Sequence, residues 1–235
     1  MKLKSIDDFT DTIAMKFPLN NIVEKLLTKI NRGRDKTTYD NITISDNRLV
    51  CTSKDGFLLD VTVDLDNNRI ITHDIGRKKK DEATIYYDTK KVLNFDGNKM
   101  IDSTSYDETK HKKEDFFITT YSSGNFRCYY NEEGKVTKSY KEETSHIIKK
   151  NDEKEVVDEY DLDTINTKCY LANGDKITKN TINDKTTYSY IYNDGFKDIT
   201  KNISTKEYYE LSNLENDPYK VANNDIVYAS KKGRV

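Results

Sequence analysis

The chain of 235 residues contains no tryptophan, three cysteines, three histidines and nine glycines, and each shortage removes a class of chemistry. The histidines, His73, His111 and His146, have no Cys, His or carboxylate at the spacing of a C-x-x-C or H-E-x-x-H zinc site. Neither a metal nor a cofactor is therefore expected. The glycines are mostly isolated and supply no glycine-rich run that could open a helix around a phosphate, and no Ser-centred elbow occurs. Alternation of Asp64, Asp66 and Asn68 resembles part of a calcium loop, but the glycine and the closing glutamate that such a loop requires are missing. Cys51, Cys128 and Cys169 are odd in number, far apart and each inside a strand-like run, which reads as buried, reduced thiols. No stretch approaches the ~18 apolar residues of a membrane span, and Met1 to Asp8 lacks the apolar centre of a secretion signal. A cytoplasmic protein with no membrane partner is the expectation, in the host cytoplasm if the gene is carried by a phage.

Apolar residues are scarce as well. Hydrophobic and charged residues each make up 34% of the chain, and mean hydropathy is -0.89, so any core must be thin. The 17 Tyr and 8 Phe decide in favour of folding, because disordered chains are poor in aromatics. A single sheet with much of both faces wet fits this balance. Net charge is -2 and the isoelectric point near 6.0, so the whole-molecule field gives no pull toward nucleic acid or an anionic membrane. Lysine far outnumbers arginine, and Asn, Ile and Tyr are abundant, as an AT-rich coding sequence would favour.

What is present is a rhythm. Asp55-Gly56, Gly76, Asp96-Gly97, Glu133-Gly134, Asn173-Gly174 and Asp194-Gly195 lie 20, 21, 37, 40 and 21 positions apart, as if a unit of about twenty residues sometimes lacks its glycine. Runs rich in Tyr, Ile, Val and Thr separate them, which predicts consecutive antiparallel hairpins. The clearest strand is Phe57 to Leu65, with Phe57, Leu59, Val61, Val63 and Leu65 on one side, followed by a turn at Asp66-Asn67-Asn68 and a partner strand from Arg69 to His73. Lys149 to Glu155 reads as a charged hairpin loop. The fold class expected is mainly β: an antiparallel meander of repeated hairpins, with a short N-terminal helical element and a short C-terminal helix.

Three segments follow: 1–36 as the helical element, 37–203 as the hairpin sheet, and 204–235 as a C-terminal helix or strand with a basic tail. In the first, Ser5 and Asp8 form an acidic capping-box pattern ahead of Ile6, Phe9 and Ile13. Asn20 or Asn21 can cap a second helix with an apolar stripe of Ile22, Val23, Leu26, Leu27 and Ile30, which must dock on a sheet face or a partner. In the last, Ser204 and Glu207 repeat the capping pattern before Tyr208, Leu211 and Leu214, and Ile226 to Tyr228 can add a strand.

Tyr130-Asn131-Glu132-Glu133-Gly134-Lys135 and Tyr192-Asn193-Asp194-Gly195-Phe196-Lys197 resemble the hairpin units of the YD and MORN repeat families, over residues 86–203. The resemblance implies an extended, non-catalytic β scaffold for binding and carries over no functional residues. The repeats here hold fewer glycines than MORN units and vary in length.

A catalytic site assembled from distant strands leaves no local motif, so the expectation of a non-enzyme rests on the missing motifs. Three basic clusters stand out: Lys29 through Arg34 with Lys36, Arg77-Lys78-Lys79-Lys80, and Lys110 with Lys112-Lys113, each followed or offset by acids. Candidate binding residues are Arg77, Lys78, Lys79 and Lys80 together with Tyr129, Tyr188, Tyr190 and Tyr192, because tyrosine gives large contact area with a polar tip. The leading reading is a protein-binding module, in its specific form a phage or mobile-element inhibitor of a host defence nuclease or ribonucleoprotein effector, like an anti-CRISPR protein. Two alternatives accompany it: an immunity protein that neutralises a toxin, and a nucleic-acid binder using a Lys/Tyr sheet face.

Overall fold

A computed structural model describes residues 5–18, 20–32, 39–80, 83–97 and 99–213. It is the expected antiparallel meander. Two helices, α1 (Ile6–Lys16) and α2 (Asn21–Arg32), precede twelve strands, and α3 (Thr205–Asn213) follows them. The strands are β1 (Asn41–Ser45), β2 (Arg48–Thr52), β3 (Leu58–Asp64), β4 (Arg69–Lys80), β5 (Ala83–Asp96) and β6 (Lys99–Lys113). Then come β7 (Phe116–Tyr130), β8 (Val136–Lys150), β9 (Val156–Tyr170), β10 (Lys176–Ile182), β11 (Lys185–Asn193) and β12 (Asp198–Asn202). Each pairs with its sequence neighbours in the order β1 to β12.

The glycine rhythm is explained by one turn. Residues 53–57, 131–135, 151–155 and 171–175 close identically: the first N–H donates to the fifth carbonyl and the fourth N–H donates to the first carbonyl, all at 2.9–3.1 Å. The fourth residue sits at positive φ, at 81° for Gly56, 79° for Gly134 and 86° for Gly174. Lys154 takes that place at φ 66°. It is the unit without its glycine inside the 40-residue gap. A side chain at the first position reinforces the turn where it can: Ser53 Oγ, Asn131 Oδ1 and Asn151 Oδ1 accept from the fifth N–H at 3.0, 2.9 and 2.8 Å. The 37-residue gap hides a two-residue turn at Glu114-Asp115, where Glu114 has φ 54°. Asn183 and Asp184 are both left-handed, at 42° and 65°, which is the type I′ arrangement suited to a tight hairpin.

Gly76 is a correction. It lies within β4, opposite Tyr87 of β5, and makes no turn. A Cβ there would meet the Tyr87 hydroxyl at 2.6 Å, so glycine leaves the space that the cross-strand ring fills. The strand expected over Phe57 to Leu65 is also shorter, because both end residues belong to turns.

The chain divides into two compact units, Met1–Asn125 with Thr144–Leu162, and Phe126–Glu143 with Asp163–Val235. In the first, Ser5 Oγ accepts from Asp8 N–H while the Asp8 carboxylate accepts from Ser5 N–H, which starts α1. Asn20 Oδ1 accepts from the N–H groups of Ile22 and Val23 and starts α2. The two helices cover one sheet face: Phe17 stacks on Phe95 at 4.6 Å and Asn20 reaches Met100. Beneath them Leu49, Cys51, Leu59, Val61, Val63 and Ile70 are wholly buried, as are Phe9, Ile13, Val23 and Ile30. Strand alternation puts Leu59, Val61 and Val63 on the covered side, and each such side chain contributes about 1.5–3 kcal/mol.

The second unit has its own small core of Cys169, Leu171, Ile177, Tyr190, Tyr208 and Leu211. α3, started by Ser204 and Glu207 in a reciprocal cap, packs on β10 and β11. Between Met100 and Cys169 the buried residues are Ser139 and Ser145, with no buried apolar side chain. Strands there are wet on both faces and rest on their hydrogen-bond ladders and cross-strand pairs. Leu214, the strand expected at Ile226 to Tyr228 and the basic tail lie outside the described residues.

Replacing Lys154 with Gly is predicted to stabilise the fold by about 0.5–1 kcal/mol, because the left-handed penalty of roughly 1–2 kcal/mol exceeds the entropy glycine adds to the unfolded chain. Gly174→Ala, at the matching position, is predicted to cost about 1 kcal/mol. Urea midpoints followed by circular dichroism test the pair, and two unchanged midpoints would refute the shared turn.

Candidate functional site

Arg77, Lys78, Lys79 and Lys80 form the last four residues of β4 and pair with Tyr86, Ile85, Thr84 and Ala83 of β5. All four are exposed. Alternation along the strand splits them: Lys78 and Lys80 share the helix-covered face with buried Ile70 and Asp74, while Arg77 and Lys79 point the other way. Arg77 lies over the Phe57 ring at 5.3 Å.

On the helix-covered face a polar centre has formed around Tyr87. Asp74, 6% exposed, accepts from the Lys29 ammonium of α2 on one oxygen and faces the Tyr87 hydroxyl at 3.5 Å on the other. The Tyr87 ring, seated over Gly76, carries Lys29 at 5.4 Å and Lys78 at 5.9 Å from its centroid. Burial, and then the charges of Lys91, Lys78 and Arg32, pull the Lys29 ammonium below its ordinary pKa. Burial pushes the Tyr87 phenol up, aided by Tyr39 and opposed by Arg32. Two of the basic clusters picked out in the sequence, one on α2 and one on β4, thus meet at one ring. In the third, two of the three lysines are paired off: Lys110 with Glu108 at 2.6 Å and Lys112 with Asp152 at 2.8 Å.

The four candidate tyrosines belong to the second unit and have different surroundings. Tyr129 is 46% exposed, with Lys138 over its ring at 5.8 Å. Tyr192 is half-buried beneath Lys201 at 5.1 Å. Tyr188 is half-buried against Tyr208 of α3 at 5.0 Å. Tyr190 is a correction: it is buried in the core and donates to the buried Asp175 carboxylate, so it serves packing rather than contact with a partner. Phe196, expected from the sequence to open the polar strand that follows Gly195, lies instead in the turn before β12 and is 97% exposed. Its place one residue after the glycine of an Asp-Gly turn was the available signal.

The histidines are used locally. His73 Nε2 is 2.8 Å from Asp88, on the face opposite Asp74, as adjacent strand residues require. His146 lies between Asp161 at 2.8 Å and Glu159 at 3.0 Å. Among the described residues no group of three His, Cys, Asp or Glu side chains is placed to hold a metal. Asp64 is occupied by Asn67 and Arg69. Cys51 and Cys169 are buried free thiols and Cys128 is half-buried; burial pushes the Cys51 thiol up to about 11. No helix among the described residues is long and apolar enough to cross a membrane.

The hydrogen bond from Asp161, helped by Glu159, raises the His146 imidazole above its ordinary 6.5. The ion pairs therefore stabilise the fold in full below that ordinary value and fade as pH rises through the raised one. An NMR titration is predicted to place the His146 midpoint above 6.5 and to lower it in Asp161→Asn; a midpoint indifferent to that change would refute the pairing.

No protein-family model, curated protein sequence or solved structure matches the chain.

Proposed function

We propose that this chain is a non-catalytic protein-binding module, and that Phe196 is its principal anchor. The observation that carries this reading is a nearly fully exposed phenylalanine at the tip of a turn that its own polar side chains hold still. Asn193 Oδ1 accepts from Gly195 N–H at 2.8 Å, and Asp194 Oδ1 accepts from Phe196 and Lys197 N–H at 3.0 and 2.9 Å. Asn193 Nδ2 donates to Asp198 at 3.0 Å, and Asp194 N–H donates to the Lys197 carbonyl at 3.2 Å. The N–H groups of Lys197 and Phe196 hold the Asp194 carboxyl below its usual range, so it remains an ionised acceptor and the turn stays clamped at neutral pH. A rigid aromatic loses little conformational freedom on docking, which is what makes such residues binding hot spots.

A chain this poor in apolar residues gains nothing for its core from Phe196. Exposed Tyr129 and Tyr209 in the same unit supply further contact area of the amphipathic kind that protein interfaces favour. The partner classes to test first are a defence nuclease or its ribonucleoprotein complex, then a toxin neutralised by an immunity protein. Both are readings of the sequence's composition and lack of motifs.

The test is affinity capture from the source cell, followed by light scattering on the recovered complex. One protein at a one-to-one ratio is expected. Phe196→Ala is predicted to weaken that complex by about 2 kcal/mol or more while leaving the melting temperature unchanged. Undiminished binding by the variant would sink the anchor. Recovery of nucleic acid alone would overturn protein binding as the function.

A further inference from the structure

We propose that the cationic centre around Tyr87 is a second binding site, which takes the phosphodiester backbone of single-stranded nucleic acid. The proposal goes beyond the protein-binding reading and concerns the other unit of the chain. Its basis is convergence: Lys29 and Arg32 arrive from the last turn of α2, Lys78 from β4 and Lys91 from β5. Burial, and after it the charges of Lys91, Lys78 and Arg32, lower the Lys29 ammonium, so the four cations lie close enough to feel one another. Asp74 neutralises one charge, through Lys29. Among the described residues Lys78, Lys91 and Arg32 make no ion pair, so no carboxylate neutralises their charges.

A helix C-terminus favours cations, and that accounts for Lys29 and Arg32 alone. It does not account for sheet residues Lys78 and Lys91 facing the same way. Strand geometry continues the positive row past Lys78 to Lys80 on the same face. Lysines on long stems suit phosphates as point charges, whereas planar pairing with carboxylates favours the arginine fork. A linear row of point charges beside an aromatic ring is the arrangement that tracks a single strand.

Fluorescence anisotropy with a labelled deoxythymidine oligonucleotide tests the site on the full chain. Neutralising about three phosphates predicts a slope near -2 for log K against log salt, roughly a twentyfold loss from 50 to 200 mM. The double variant Lys78→Gln, Arg32→Gln is expected to weaken binding about tenfold and to flatten that slope by about 1.4. Both residues are exposed, so the variant should fold, and unchanged circular dichroism confirms it. Lys29 is left intact because its loss would strand the buried Asp74 charge. Lys135→Gln in the second unit is the control and should leave affinity unchanged. Absence of binding, or binding that the double variant does not alter, overturns the proposal. So does equal binding of poly-glutamate, which would assign the site to an acidic protein segment.

Discussion

At four of its hairpins this sheet pairs in one register because the five-residue turn joining the strands closes with its fourth residue at positive φ. A slip of one position would turn every side chain to the opposite face and move the left-handed requirement onto a residue that resists it. That constraint matters more here than in most sheets. Over the strands between Met100 and Cys169 no apolar side chain is buried, so the backbone ladder, cross-strand side-chain pairs and the turns that set register do the work that a core does elsewhere. Lys154 shows the strength of the requirement: the chain keeps the same backbone there without glycine.

The helices sit where the ladder alone is insufficient to bury what the sequence provides. Strands β2 to β5 carry large aliphatic residues on one side, and α1 and α2 cover them. A smaller patch from Cys169 to Tyr190 is covered by α3. Both sets of helices therefore follow from the position of apolar residues on the strands. Polar consequences come with that cover: docking α2 over β4 and β5 carries Lys29 onto Asp74 and brings two basic segments to one ring.

Much of this was legible. Ser5 with Asp8, Asn20 and Ser204 with Glu207 are local capping signals whose hydrogen bonds span three residues, and they worked as read. The period-two run around Leu59, Val61 and Val63 placed its strand and its buried face correctly. Gly76 misled because a glycine at a turn and a glycine beneath a cross-strand tyrosine look alike in sequence. Tyr190 misled for a similar reason: alternation says that a residue shares a face with its i+2 neighbours, but not which of them a helix will cover. For Phe196 the Asp-Gly turn before it marks a place at a hairpin tip, while the extent of its exposure is a property of the whole surface.

The sequence by itself determined the meander, the turns and the helix starts, since these depend on contacts within a few residues and on which residues tolerate a left-handed backbone. It also set the thinness of the core through its composition. Tertiary structure alone decided which basic clusters meet and which lysines are neutralised, because that depends on strand pairing and helix docking between residues far apart in the chain, such as Lys29 and Asp74, 45 positions apart. It likewise decided which aromatics are buried and which stand exposed. Burial is set by what packs above a residue, and no local pattern records that.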